Sequence, residues 1–338
     1  MAKLTLDPRD TSTDTQELLS MYRLMVRVRR FEESLYRRYR EGKIGGYLHR
    51  YDGEEALVAG VVPLLRRDDY ILCTYRDHGH AISCGVPMRE VMAELYGRVG
   101  GCAAGKGGSM HLIGPEYGFL GGDGIVGGPV PVALGVGYAI KMRGGDQVCV
   151  CYFGDGAINQ GGVHESMNMA ALYGVPVLFI LENNGYAMGT AVERSTKQPD
   201  MVAKAAAHGI AGELIDAMDA QVVREAASRI IGHMRATHEP YFLEARCYRY
   251  VGHGVADNAQ QQRFYREEGE IEQWKQRDPL ASTRARLLEL DALGEADERA
   301  MEAEVEAEIA EAVAFAEQSP EPPLDSLYEN VFTESTGG

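Results

Sequence analysis

The sequence predicts an α/β protein built on an open, mainly parallel sheet with helices on both faces, with an N-terminal helix and a helical C-terminal extension. Two short apolar runs, Val148 to Phe153 and Val175 to Glu182, have the length of buried strands. Between them a glycine-rich turn leads into a segment whose Val163, Met167 and Ala170 share one face of a helix. Parallel strands need a crossover connection, so strand, helix, strand at this spacing is the unit of a parallel sheet. Such sheets bind ligands at the carboxyl ends of their strands, so the turns after both strands are expected to face one crevice.

Taken in order, residues Glu17 to Lys43 place Leu18, Tyr22, Met25 or Val26, and Phe31 at near-helical spacing, which predicts a long opening helix. Arg89 to Tyr96 reads as a shorter helix. From about residue 100 to 190 the chain is rich in glycine and alternates strand with helix. Arg246 to Asp257 reads as a strand running into an exposed polar loop that ends the α/β body. From Glu267 onwards the pattern is helical, and Met301, Val305, Ile309 and Val313 stripe an acidic helix that stops at Pro320, Pro322 and Pro323. These changes divide the chain into a helical arm (1–45), an α/β domain (46–265) and a helical extension (266–338), with no internal repeat.

With 338 residues, 45% hydrophobic and 25% charged, the chain is long and apolar enough to bury a globular core. A formal charge of -16 argues against a nucleic-acid surface, which needs concentrated Lys and Arg. The longest apolar runs are too short to cross a bilayer, and the polar start Met1 to Gln16 lacks the apolar core of a secretory signal, so a cytoplasmic protein with no membrane partner is expected. Six cysteines form no CxxC pair and read as reduced, buried thiols, with Cys149 and Cys151 on one face of a strand. The charge is uneven. Eleven acidic residues stand against Arg299 between Glu289 and Glu317, and seven arginines lie between Arg23 and Arg40. Each segment reads equally as a docking surface for a partner subunit or as the solvated face of a helix.

The chemistry is concentrated at the two strand ends, in GDGAINQGG from Gly154 and ENNGYAMGT from Glu182. Asp155 and Asn184 lie 29 residues apart, a separation that one strand, helix, strand unit closes at a single crevice. One carboxylate and one side-chain amide, with little excess negative charge, suit a magnesium ion shared with phosphate oxygens. Gly154 and Gly156 let the backbone approach such a group, and the following helix directs its amides at negative charge. Two other patterns fail. GGCAAGK (Gly100 to Lys106) resembles a triphosphate-binding loop, but Gly107 stands where a Ser or Thr must meet magnesium and a helix precedes it. GDGAINQGG has Asn159 where a dinucleotide fingerprint needs its third glycine.

GDG followed by NN about thirty residues later resembles the thiamine-diphosphate signature. Beyond it, GKIGGYLHRYDGEEA (Gly42 to Ala56), TYRDHGHA (Thr74 to Ala81), GKGGSMHL (Gly105 to Leu112), GIVGGPVPVALG (Gly124 to Gly135), NMAALYGVPV (Asn168 to Val177) and YRYVGH (Tyr248 to His253) are similar, in the same order, to alpha subunits of thiamine-diphosphate-dependent 2-oxo acid dehydrogenases. The resemblance spans roughly residues 20 to 330 and implies the fold and site of that family. Asp155, Asn184 and the Tyr186 carbonyl would ligate magnesium. Tyr75, Arg76, Gly156, Ala157, Arg249 and His253 would surround the diphosphate, while the backbone of Gly124 and Val126 would meet the aminopyrimidine. His49 would sit near the thiazolium and the substrate, and His253 would assist acyl transfer as a proton donor. Arginine suits these places because its fork offers paired donors to phosphate, and histidine because it exchanges protons near neutral pH. His78, His80 and His111 keep a structural reading in part, and His164, His208, His233 and His238 are assigned no role.

TYRDHG and AMGTAVERS (Ala187 to Ser195) resemble the pyruvate-acting members more than the acetoin-cleaving or branched-chain ones. The resemblance further implies oxidative decarboxylation of a small-molecule 2-oxo acid and transfer of the acyl group to a lipoyl-bearing acyltransferase core. Nothing in this chain resembles the domain carrying the family's activating glutamate, so a beta subunit in a two-alpha, two-beta heterotetramer is expected to supply it. GHGVADN (Gly252 to Asn258) departs from the serine-containing loop of many eukaryotic relatives, which removes the hydroxyls that kinases use there. The N-terminal half of a split transketolase is the competing enzyme reading, and a non-catalytic scaffold subunit the third.

Overall fold

A computed structural model describes residues 14–329 and 331. The polar start up to residue 13 and the last residues of the extension lie outside it. Asp14 caps the first helix, α1 (Thr15–Arg40), by accepting the Gln16 N–H, and arginines crowd its last turn, where the helix dipole favours cations. The chain continues through α2 (Glu55–Val61), β1 (Tyr70–Thr74), α3 (His78–Cys84), α4 (Met88–Leu95), β2 (Phe119–Asp123), α5 (Pro129–Arg143) and β3 (Cys149–Gly154). Next come α6 (Gly161–Tyr173), β4 (Val177–Asn183), a two-strand ribbon of β5 (Tyr186–Ala187) and β6 (Thr190–Ala191), α7 (Val192–Ser195) and α8 (Met201–Ala206). The α/β body closes with β7 (Ala211–Asp216), α9 (Ala220–Thr237) and β8 (Tyr241–Arg246). Beyond it lie α10 (Ala259–Gln262), α11 (Glu270–Lys275), α12 (Pro279–Glu289) and α13 (Glu295–Gln318), which ends just before Pro320.

Six strands form one parallel sheet in the order β2-β1-β3-β4-β8-β7. Because side chains alternate across a strand, each central strand feeds two cores at once. Val150, Tyr152, Leu178 and Ile180 pack with α1, α2, α9 and α13 on one face. Cys149, Cys151, Phe153, Val177 and Phe179 pack with α5, α6 and α8 on the other. The shared face expected for Cys149 and Cys151 is therefore present, and burial pushes both thiols upward, away from the reactive thiolate. All six cysteines are free. Among the described residues, no helix is long and apolar enough to cross a membrane.

The helices pack closely where glycine permits it. A methyl added at Gly60 of α2 would lie 2.6 Å from the Val223 Cγ1 of α9. Gly60→Ala is expected to destabilise the chain by about 1–3 kcal/mol through overpacking, read as a lower urea midpoint at unchanged slope.

Three expectations need correction. The strand expected to begin near Arg246 instead ends there, since β8 is Tyr241–Arg246. Past Arg246 the backbone leaves the sheet, and the Tyr250 N–H donates to the Asp52 carbonyl at 3.0 Å. The basic and acidic segments face each other rather than a partner or solvent alone. Arg27 forks onto Glu308 at 2.6 and 3.0 Å, Arg30 reaches Glu302 at 2.8 Å, and Arg23 pairs with Glu304. Met301, Val305, Ile309, Ala312 and Ala316 bury the apolar side of α13 alongside. Val313, expected in that stripe, is only half-buried.

Candidate active site

β1 has β2 on one side and β3 on the other, so the chain winds outward in both directions from this point of the sheet. A crevice opens there beyond the carboxyl ends of the strands. It is a cavity of about 280 Å³, lined by residues at or beyond the carboxyl ends of four neighbouring strands: Thr74 to Arg76 at β1, Gly154 to Ala157 at β3, Asn184 and Tyr186 past β4, and Arg249 and His253 past β8. Val126, beyond the end of β2, joins them. The two turns predicted to share a crevice do share it, and ten of the residues that the resemblance singles out line it.

Asp155 is buried and its Oδ1 accepts the Gly156 N–H at 3.0 Å, while Oδ2 has no partner. Burial raises the Asp155 carboxyl to about 7, against the lowering effect of Arg249. Asn184 donates its Nδ2 to Glu54 Oε1 at 2.9 Å and accepts the Tyr186 N–H on Oδ1 at 3.3 Å. The acceptor-only carboxylate of Glu54 thus sets which way the amide faces. The Tyr186 carbonyl receives only a long 3.5 Å contact from Arg249. One orphaned buried carboxylate oxygen, one oriented amide oxygen and one under-used carbonyl form an oxygen set that fits a small divalent cation. Among the described residues there is no cluster of three His, Cys, Asp or Glu side chains that could hold a metal by themselves. The fit therefore depends on amide and carbonyl oxygens and leaves positions for a ligand's own.

Two buried guanidiniums face this set. Arg76 lies 3.4 Å from Glu54 Oε2 and donates to the His253 carbonyl at 3.0 Å, and Arg249 donates to the Val251 carbonyl at 3.1 Å. Gly154 has open space where a side chain would stand, and a Cβ on Gly156 would meet Ala187 of the β5 ribbon at 2.6 Å. The helical turn following GDG is a short 3-10 turn, Ala157–Asn159, with α6 starting only at Gly161. His49 lies with its ring centroid 4.5 Å from Tyr75 and 4.9 Å from His253, and the Nδ1 atoms of both histidines are buried without partners. Burial, followed by the positive charge of Arg76, lowers His49 to about 2 and His253 to about 3. Both imidazoles are neutral at pH 7, each with one donor and one acceptor nitrogen. An anion placed between Arg76 and Arg249 would cancel part of that depression. Gly124 stands outside the lining, where an added Cβ would come within 3.3 Å of the His111 ring.

Sequence reasoning missed Glu54 and Glu182, both buried in the lining. Tyr51 donates its hydroxyl to Glu182 at 2.6 Å, and His80 Nε2 lies 3.5 Å from the same oxygen. Burial raises the Glu54 carboxyl, with Arg76 acting against it. The available signal was a pair of acidic residues, Glu54 and Glu55, at the start of a helix that is otherwise apolar. Read locally that is a dipole-favoured first turn, yet neither residue is exposed.

Comparison with known proteins accords with this geometry. The family described as "Dehydrogenase E1 component" matches residues 23–325. The chain is 43% identical to the pyruvate dehydrogenase E1 component subunit alpha of Rhizobium meliloti over 93% of its length and 89% of that protein. It is 41% identical to the protein of the same name from Rickettsia felis, covering 97% of this chain and all of the relative. Identity is 39% with the chloroplastic subunit alpha-3 of Arabidopsis thaliana, of which 76% is covered. A parallel sheet with its cavity at the switch point and a family match over most of the sequence lead to one conclusion: the chain belongs to the dehydrogenase E1 component family.

Proposed function

We propose that this chain is the alpha subunit of a pyruvate dehydrogenase that decarboxylates pyruvate oxidatively and passes the acetyl group to a lipoyl arm of an acyltransferase. The observation that carries the reading is the convergence of the Asp155 and Asn184 oxygens with the Arg76 and Arg249 guanidiniums at the sheet's switch point. Asp155, Asn184 and the Tyr186 carbonyl would hold magnesium, and Tyr75, Arg76, Gly156, Ala157, Arg249 and His253 the diphosphate of thiamine diphosphate. The backbone of Gly124 and Val126 would meet its aminopyrimidine. Thiamine diphosphate, when bound, supplies a carbanion and an electron sink for decarboxylation.

The chain's own residues bind, orient and move protons. Glu54 turns the Asn184 amide oxygen away from itself, and Arg76 holds the His253 backbone. His49 and His253, freed from part of the arginine field by the bound anion, can then take or give a proton at their ring nitrogens next to the substrate. The activating carboxylate for the cofactor belongs, on this reading, to a beta subunit, and two alpha and two beta chains share the sites. In support, the apolar side chains of Ile125 and Val126 stand exposed at the cavity rim, and Val132, Tyr138 and Met142 are exposed along α5.

Co-expression with its beta subunit, followed by steady-state assays with pyruvate, 2-oxoisovalerate and acetoin, tests the reading. Lipoamide acylation fastest with pyruvate is expected. A faster reaction with 2-oxoisovalerate or acetoin would overturn the choice of substrate. Ketol transfer between sugar phosphates with no lipoamide acylation would overturn the dehydrogenase reading itself.

A further inference from the structure

The glycine-rich loop that resembles a triphosphate-binding pattern is an anion cradle after all, but the anion is internal. Glu94, in the last turn of α4, is fully buried. Its Oε2 accepts the N–H groups of Ala103 and Gly105, each at 2.8 Å, and its Oε1 accepts those of Gly107 at 2.7 Å and Gly108 at 3.1 Å. Four backbone amides on one carboxylate need a chain that changes hand within a few residues. Ala104, Gly105 and Gly108 accordingly have φ of 56°, 78° and 64°. The loop is also pressed onto the acid, since a Cβ on Gly101 would lie 2.5 Å from the Glu94 Cα.

This loop ends beside Gly124, two residues from the cavity lining. Ser109 lies 2.9 Å from His78 Nε2, and His78 Nδ1 is 3.0 Å from Glu32. Leu112 donates its N–H to Asp77 at 3.0 Å and its carbonyl accepts the Gly122 N–H at 3.1 Å, which ties the loop to the end of β2. Between these anchors the His111 ring rests against Gly124, two residues before Val126 of the cavity lining.

We infer that Glu94 is a positioning residue, a built-in anion whose carboxylate fixes the loop from residue 101 to 112 and thereby seats His111 against Gly124, the segment that leads into Val126 of the cavity lining. The link to catalysis rests on the proposed function, whereas the cradle itself does not. Glutamate is needed because only an ionised carboxylate brings acceptors on both arms. A glutamine keeps the shape but turns two donors toward two amides.

The test uses the chain assembled with its beta subunit. In Glu94→Ala, hydrogen exchange at the amides of residues 103–108 is expected to accelerate at least about tenfold, the factor that loss of a ~1.4 kcal/mol hydrogen-bonding contribution gives. Acetate, which replaces the missing CH2–COO⁻, is expected to restore protection in a saturable way that chloride at equal ionic strength does not. Pyruvate turnover should recover in parallel. Should Glu94→Ala fail to assemble, Glu94→Gln remains decisive, because one amide pair, 103 and 105 or 107 and 108, should lose protection while the other keeps it. Unchanged exchange in either variant, equal loss at both pairs in Glu94→Gln, or rescue by chloride as strong as by acetate would overturn the cradle. Acetate restoring exchange protection without restoring turnover would overturn the positioning role and leave the cradle standing.

Discussion

Asp155→Ala, in the chain assembled with its beta subunit, is expected to abolish magnesium-dependent binding of thiamine diphosphate while leaving the fold at least as stable as before. The two halves of this result have one cause. Asp155 is a buried carboxylate with an unpartnered oxygen, and its carboxyl is raised to about 7 because burial penalises the charge. In the chain without ligand the group is a liability, so its removal costs no stability and can add some. On the proposed function, the same oxygen would become a ligand once the cation binds. Removing an outer-shell partner of a metal site weakens binding by about 10–100-fold, so loss of a ligand should exceed about a hundredfold. Titration calorimetry with magnesium and cofactor, alongside a urea melt of the ligand-free variant, measures both halves. Unchanged affinity would remove Asp155 from the metal site. A large loss of stability would instead make it a structural acid.

The second large effect concerns Arg29, which joins three parts of the fold. From α1 it pairs with Glu55 at the start of α2 and, at 3.1 Å, with Asp278, the cap of α12, and it lies 5.3 Å from the Tyr250 ring. Burial opposes its charge, yet the Glu55 carboxylate outweighs that and keeps the guanidinium firmly protonated. Glu55 has no exposed surface, so Arg29→Met strands a buried negative charge. The expected loss is about 3–5 kcal/mol. Arg23→Ala, which breaks a pair exposed by more than half on both sides, should cost less than about 1 kcal/mol. Urea midpoints for the two variants are the measurement. Equal, small losses would mean that α1 is held by its apolar face alone, through residues such as Met25, Phe31 and Leu35.

The strands β3 and β4, the helix between them and the positions of Asp155 and Asn184 were legible in the sequence, because each depends on residues close by in the chain. Alternation, helical period and a glycine turn are local steric facts, and a parallel sheet places such turns on one edge whatever else surrounds them. The end of β8 was not legible. Cys247 to Tyr250 are as apolar and aromatic as a strand, and only the bond from Tyr250 to Asp52 shows where the backbone departs. The charged segments were visible as charge but not as partners. Arg27 and Glu308 lie 281 positions apart, and nothing local says that one meets the other.

By itself, then, the sequence determined the α/β class, the crevice at the strand ends and the carboxylate, amide and guanidinium groups that gather there. The tertiary structure alone decided how those groups are held. Glu54 turns the amide of Asn184 from 130 positions away, and Glu94 fills a cradle that resembles a nucleotide loop. A carboxylate at a helix end looks the same in sequence whether it faces water or a ring of amides. The difference arises from burial, which makes every unpaired polar atom costly and so forces each of these acids onto a specific donor.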